Sequence, residues 1–202
     1  GVYFRSFAAD RVLRSPIEQA NVDIVNNFTK NIWCKYEPSF MELATKPAAE
    51  WGKNPNFIKF SKISKTIFLA SPAFKISFYP TSKEEIFTNN DAEITFFDDS
   101  GEKNNLLRTF AGDVTSKLIP SMGYHDKAGN LIKGSFVQSY VLLDPKLCTN
   151  TPEGAIQIKA AAEIYTDITK PWDELYLVQL VVSIGIVTTF ILLYLALLIT
   201  SK

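Results

Sequence analysis

From Ile17 the apolar positions recur every three or four residues. Val22, Val25, Phe28 or Thr29, Ile32, Tyr36 and Phe40 fall on one stripe, with Glu18, Asp23, Asn26, Lys30 and Lys35 between them. That period predicts a long amphipathic helix packed on its own domain. Ser15, Pro16 and Glu18 suit its start, with a hydroxyl at the cap, proline in the first turn and a carboxylate three residues after the serine. Pro38 is expected to kink the helix and Pro47 to end the helical region. After Gly52 and Pro55, the residues Phe57, Ile58, Phe60 and Ile63 predict a short second helix within residues 54–65.

At Phe74 the period drops to two. Phe74, Ile76 and Phe78 alternate with Lys75, Ser77 and Tyr79, which predicts a half-buried strand stopped by Pro80. Residues 83–90 read as a turn and a short strand around Ile86 and Phe87. Residues 94–97 read as another strand, closed by the turn at 98–101. Residues 106–118 fit a helix or a strand, and Gly112 weakens the helix. Residues 131–143 and 155–168 are rich in Val, Ile, Phe and Tyr and read as antiparallel neighbours, with a hairpin turn before them at 126–130. A helix followed by strands predicts an α+β domain, one antiparallel sheet covered by helices.

The pattern ends in an uncharged run of 25 residues, Leu175 to Ile199. As a helix rising about 1.5 Å per residue it reaches roughly 37 Å, enough to cross a hydrocarbon core of about 30 Å. Helical hydrogen bonding satisfies its backbone where lipid cannot. Trp172 and Tyr176 mark one interface, Ser201 and Lys202 the other. The expected organisation is a soluble domain at 1–174 and a transmembrane helix at 175–200. Gly1 to Phe7 has the character of the exit from an earlier span, and both ends of the chain read as cut from something longer.

With 21 acidic and 21 basic residues, charge points to neither nucleic acid nor an acidic partner. The two cysteines, Cys34 and Cys148, have no metal-ligand spacing. Outside the cytoplasm they could form a disulfide; two separate, partly buried thiols are the other reading, and geometry decides. No phosphate-loop, dinucleotide, nucleophile-elbow or HExxH motif occurs, and His125 is the sole histidine, set in a turn context. No catalytic residue, cofactor or metal ligand is assigned, Asp98 and Asp99 reading as a solvated turn. Tyr79, Phe96, Tyr140 and Tyr165 fall in strands, where they could line a ligand pocket with Arg108 supplying charge for an anion; they could equally be core.

Four stretches, in this order, resemble the extracytoplasmic sensor region of proteobacterial two-component histidine kinases and related diguanylate cyclases. They are YFRSFA at residues 3–8 leading into NVDIVNNFTKNIW at 21–33, FKISFYPTSKEEIFTNN at 74–90, SYVLLDP at 139–145 and AAEIYTDIT at 161–169. The similarity covers nearly all of residues 3–200. It departs from the family's pattern at Pro80 and residues 81–84, where a short Asn/Gly turn is usual, and at 141–143, where proline is common.

The resemblance implies a PAS-like or Cache-like domain with a long N-terminal helix along a central antiparallel sheet. It implies a homodimer in the bacterial inner membrane, its soluble domain periplasmic, responding to an unidentified small-molecule or protein stimulus. Residues 163–169 would then be the output strand, with Ile164 packing it and Asp167 holding the exit turn. The kinase or cyclase would lie beyond Lys202. The alternative is an accessory or assembly subunit anchored in a membrane complex by its C-terminal span; an enzyme within these residues is a third reading. A dimerisation helix or GGDEF segment after Lys202 would separate the first from the second.

Overall fold

The computed structural model describes residues 10–44, 46–81, 84–89, 94–95, 102–125, 131–148 and 158–200. Among the described residues six strands, β1 (Ala73–Pro80), β2 (Phe87–Thr88), β3 (Ile94–Thr95), β4 (Thr115–His125), β5 (Leu131–Leu143) and β6 (Ala160–Asp167), form one antiparallel sheet in the order β2-β1-β6-β5-β4-β3. Four principal helices accompany it: α1 (Ser15–Phe28), α2 (Pro55–Leu69), α3 (Glu102–Phe110) and α4 (Thr169–Thr200). The chain is therefore α+β with a C-terminal apolar helix, the class its periodicity predicts.

The α-helical part begins at Ser15 with Pro16 in its first turn, as expected, but Ser15 does not cap it. Arg14 is already helical, with φ −63° and ψ −53°, and no side chain caps α1. Among the described residues, a wide π-type turn at Asp10–Arg14 precedes it. Such a turn moves the carbonyls that the Pro16 ring would otherwise strike, so the proline passes inside the run. A second wide turn at Thr29–Trp33 and a tight 3-10 segment at Glu37–Leu43 follow, with Pro38 in that segment's first turn. The second helix is longer than its apolar pattern suggests. Asn54 caps it by accepting hydrogen bonds from the backbone N–H of Asn56 and Phe57, and it runs on to Leu69.

Both helices pack on one face of the sheet. Phe28, Trp33, Phe40, Trp51, Phe57, Phe60 and Phe68 meet Ile76 and Phe78 of β1, Phe87 of β2, Val141 and Leu143 of β5, and Ala160, Ala162 and Ile164 of β6. Phe78 stacks on Phe87 with ring centroids 4.9 Å apart and on Phe28 at 5.3 Å. Each such ring contributes about 1.5–3 kcal/mol when fully buried. The alanines of β6 leave room for them. Buried Asn21 pins α1 to the sheet by donating to Ser139 Oγ and accepting from Thr166 Oγ1, both at 3.0 Å.

Residues 106–118 divide at Gly112. Its φ of +104° suits glycine, and Asp113 N–H closes the end of α3 on the Arg108 carbonyl, so the helix stops and β4 starts at Thr115. Cys34 and Cys148 form a disulfide, joining the N-terminal helical run to the turn after β5. His125 is the last residue of β4, opposite Leu131, rather than a turn residue. The predicted turns at 98–101 and 126–130 lie outside the described residues, as do residues 3–8.

Helix α4 is the one described helix long and apolar enough to cross a membrane, with a mean hydropathy of 2.6 in its apolar window and none of that window buried in the protein. It starts earlier than the uncharged run. Residues 170–174, expected within the soluble domain, are its first turns.

Candidate functional site

The second face of the sheet carries polar residues that alternate with the apolar ones just described. On β6 these are Glu163 and Tyr165, and on β5 Gln138 and Tyr140, with Tyr140 paired opposite Glu163 and Gln138 opposite Tyr165. Tyr79 of β1, opposite Ala161, brings a third phenol to the same face. Strand pairing thus gathers residues far apart in sequence around one carboxylate.

That carboxylate, Glu163, is only 3% exposed. Its Oε1 accepts hydrogen bonds from Gln138 Nε2 at 2.6 Å, Tyr140 OH at 2.7 Å and Tyr165 OH at 2.7 Å. Its Oε2 accepts from Tyr79 OH at 2.9 Å. The amide of Gln138 also reaches the Tyr140 and Tyr165 oxygens, both at 2.8 Å. A carboxylate this buried is tolerable only because its lone pairs are filled. Burial first, and then the charge of Glu163, push the Tyr165 phenol above its ordinary titration range. Leu106 and Phe110 of α3 close the group against Tyr79, Tyr140 and Ala161.

Three of the tyrosines singled out from the sequence, Tyr79, Tyr140 and Tyr165, therefore meet. Arg108 does not join them. Its Nε donates to Asp113 Oδ2 at 3.2 Å on the exposed side of α3, because Leu106 and Phe110 take the side facing the sheet. Phe96 lies outside the described residues. Ile164 is fully buried on the opposite face, within the aromatic core. Glu163 and Gln138 were not singled out as site residues; the signal available was the polar half of the alternation in Val137–Gln138–Ser139–Tyr140 and Ala162–Glu163–Ile164–Tyr165.

The sheet's exit is held by a second set of contacts. Asp167 Oδ1 accepts from Thr169 N at 2.8 Å and from Thr169 Oγ1 at 2.6 Å, and Thr169 Oγ1 accepts from Ser135 N at 3.0 Å. Ile168 N donates to the Ser135 carbonyl at 2.8 Å. Around this turn, Leu13, Ile17, Leu118, Val137, Ile168, Trp172 and Leu175 form one apolar cluster. The incoming and outgoing helices are thereby packed on each other and on the sheet.

Among the described residues no group of three or more His, Cys, Asp or Glu could hold a metal. The Glu163 group gathers three phenols and an amide around one buried carboxylate. It ties β1, β5 and β6 together. No model of a known protein family matches this chain, and no curated protein matches it either.

Proposed function

We propose that this chain is the extracytoplasmic signal-input domain and following membrane helix of a membrane-bound sensor protein, a histidine kinase or diguanylate cyclase. The domain is PAS-like or Cache-like, and the helix carries a stimulus across the membrane. The observation that carries the reading is the junction at residues 167–175. There the central strand β6 passes straight into α4, and Leu13 and Ile17 of the incoming run pack on Ile168, Trp172 and Leu175 of the outgoing one. A stimulus that favours one arrangement of the sheet has a direct route to the relative position of those helices.

Other features support it. A long N-terminal helix lies along a central antiparallel sheet, as the resemblance implies, and a disulfide suits a domain outside the cytoplasm. Ile164 and Asp167 are the output residues, the first by packing the strand in the core and the second by fixing the turn into α4.

Inserting about six Gly/Ser residues after Thr169 in the complete protein, a length that slackens the junction, tests this. The sheet and its aromatic core are expected to stay folded, with melting lowered only by the loss of the Trp172 and Leu175 packing, while stimulus-dependent output is lost. An unchanged output would overturn transmission through this junction and favour the accessory-subunit reading.

A further inference from the structure

A cavity of about 380 Å³ opens where the incoming helical run, α3 and the first residues of β4 meet, and Arg14, Glu18, Arg108, Thr115, Lys117 and Tyr140 line it. Three separate elements thus bring a cation to one hollow. Two carboxylates stand against them: Glu18 accepts from Arg14 Nη1 at 2.9 Å, and Asp113 accepts from Arg108 Nε at 3.2 Å. Ser116 Oγ also bonds both Arg14 and Glu18, tying the run to β4. Lys117 is exposed and has no ion pair among the described residues.

The second observation is a hydroxyl. Thr115 is 9% exposed, and its Oγ1 is buried with no hydrogen-bond partner among the described residues. Thr115 lines the same cavity as the three cations, so its unused donor is available to an oxygen held there.

We propose that this cavity binds a small, multiply charged oxyanion, a phosphate or a dicarboxylate, held by Arg14, Arg108 and Lys117 with the Thr115 hydroxyl donating to it. Guanidinium groups match such oxygens in geometry, and the volume lies in the range of small-ligand sites. Bound there, the anion competes with Glu18 for Arg14 and with Asp113 for Arg108, exchanging ion pairs within the protein for ion pairs to itself. It would pull the incoming run towards α3 and β4. Tyr140, which lines the cavity, is also a donor to Glu163 on β6, so the same ligand would act on the incoming run directly and on β6 through Tyr140. The anion site stands on its own residues; only its effect on output rests on the sensor reading.

The test is calorimetric titration of the full chain in detergent with inorganic phosphate, with succinate and with chloride at matched ionic strength. Saturable binding of phosphate or of succinate is expected, and which of them binds identifies the ligand class. Arg108→Gln and Lys117→Gln should each weaken it about tenfold or more, since a hydrogen bond to a charged group is lost. Both side chains are exposed, and melting curves confirm that the variants fold. Lys62→Gln, an exposed change on α2, should leave affinity unchanged. Heats that follow ionic strength alone, or binding that survives both variants, would overturn the proposal. Binding without any change of output in cells would leave the site standing and count against the sensor reading instead.

Discussion

Tyr79 on β1 and Tyr140 on β5 sit on strands that do not touch, yet both donate to Glu163 on the strand between them, the first to Oε2 at 2.9 Å and the second to Oε1 at 2.7 Å. One side chain therefore ties three strands together on the face away from the aromatic core. Replacing it with an apolar residue strands three phenols and an amide without their acceptor. Glu163→Leu is expected to cost about 3–5 kcal/mol, and Glu163→Gln, which keeps one carbonyl oxygen, about 1–3 kcal/mol. Urea unfolding followed by circular dichroism measures both; equal, small losses would show that the group contributes little.

The Tyr165 phenol gives a pH dependence with a definite sign. Its folded value is raised, by burial first and by Glu163 second, above the roughly 10 of an unfolded tyrosine. Below about pH 10 both states hold the proton and stability is unaffected; above it the unfolded chain releases a proton that the folded protein keeps, so stability falls as pH rises. The slope from this residue is about 1.4 kcal/mol per pH unit. In Tyr165→Phe it should vanish, making the stability profile above pH 10 flatter than that of the parent. Identical slopes in the two proteins would contradict the assignment.

Gly134 allows the exit turn to close. A Cβ there would lie 2.6 Å from Phe136 Cε2 and 3.1 Å from Thr169 Oγ1. Phe136 is fully buried and packed against the rings of Phe74 and Tyr124, so it has little room to yield. Gly134→Ala should destabilise the domain by about 1–3 kcal/mol. It should also shift the Thr169 amide resonance, because Thr169 Oγ1 must move; an unchanged melting curve would show that the turn has slack.

Joining Cys34 to Cys148 closes a loop with a sequence separation of 114. The double replacement by serine should cost about 2–5 kcal/mol, chiefly through a less restricted unfolded chain. Thiol titration of the unfolded protein should find no free thiol before reduction and two after. Two thiols at the outset would mean that the bridge does not form.

What could be read in advance depended on how local each cause was. The alternation of Val137, Ser139 and Val141 with Gln138 and Tyr140 marks β5 because the strand's two faces meet different neighbours. Ser15 misled only as a cap: Pro16 does lie in the first turn of the α-helix, but the wide turn before it, which makes a cap unnecessary, has no signature in neighbouring residues. The tyrosines were visible as polar aromatics on strands. Their meeting point was not, since Glu163 resembles any carboxylate on a solvated strand until Tyr79, 84 residues away, is paired beside it. Arg108 stands apart from the Glu163 group because the side of α3 that faces the sheet is set by Leu106 and Phe110, a choice made in three dimensions; it meets Tyr140 only in the cavity lined by both.

The unbroken passage from β6 into α4 also fixes an orientation. A helix turns about 100° and climbs about 1.5 Å with each residue, and Trp172 and Leu175 are already gripped by the domain in its first two turns. The direction in which the sheet faces around the membrane normal is thus counted out by the residues between Asp167 and the uncharged run. Removing one would swing the whole domain through more than a quarter turn, whereas adding seven would bring it back almost to its original bearing, about 10 Å higher.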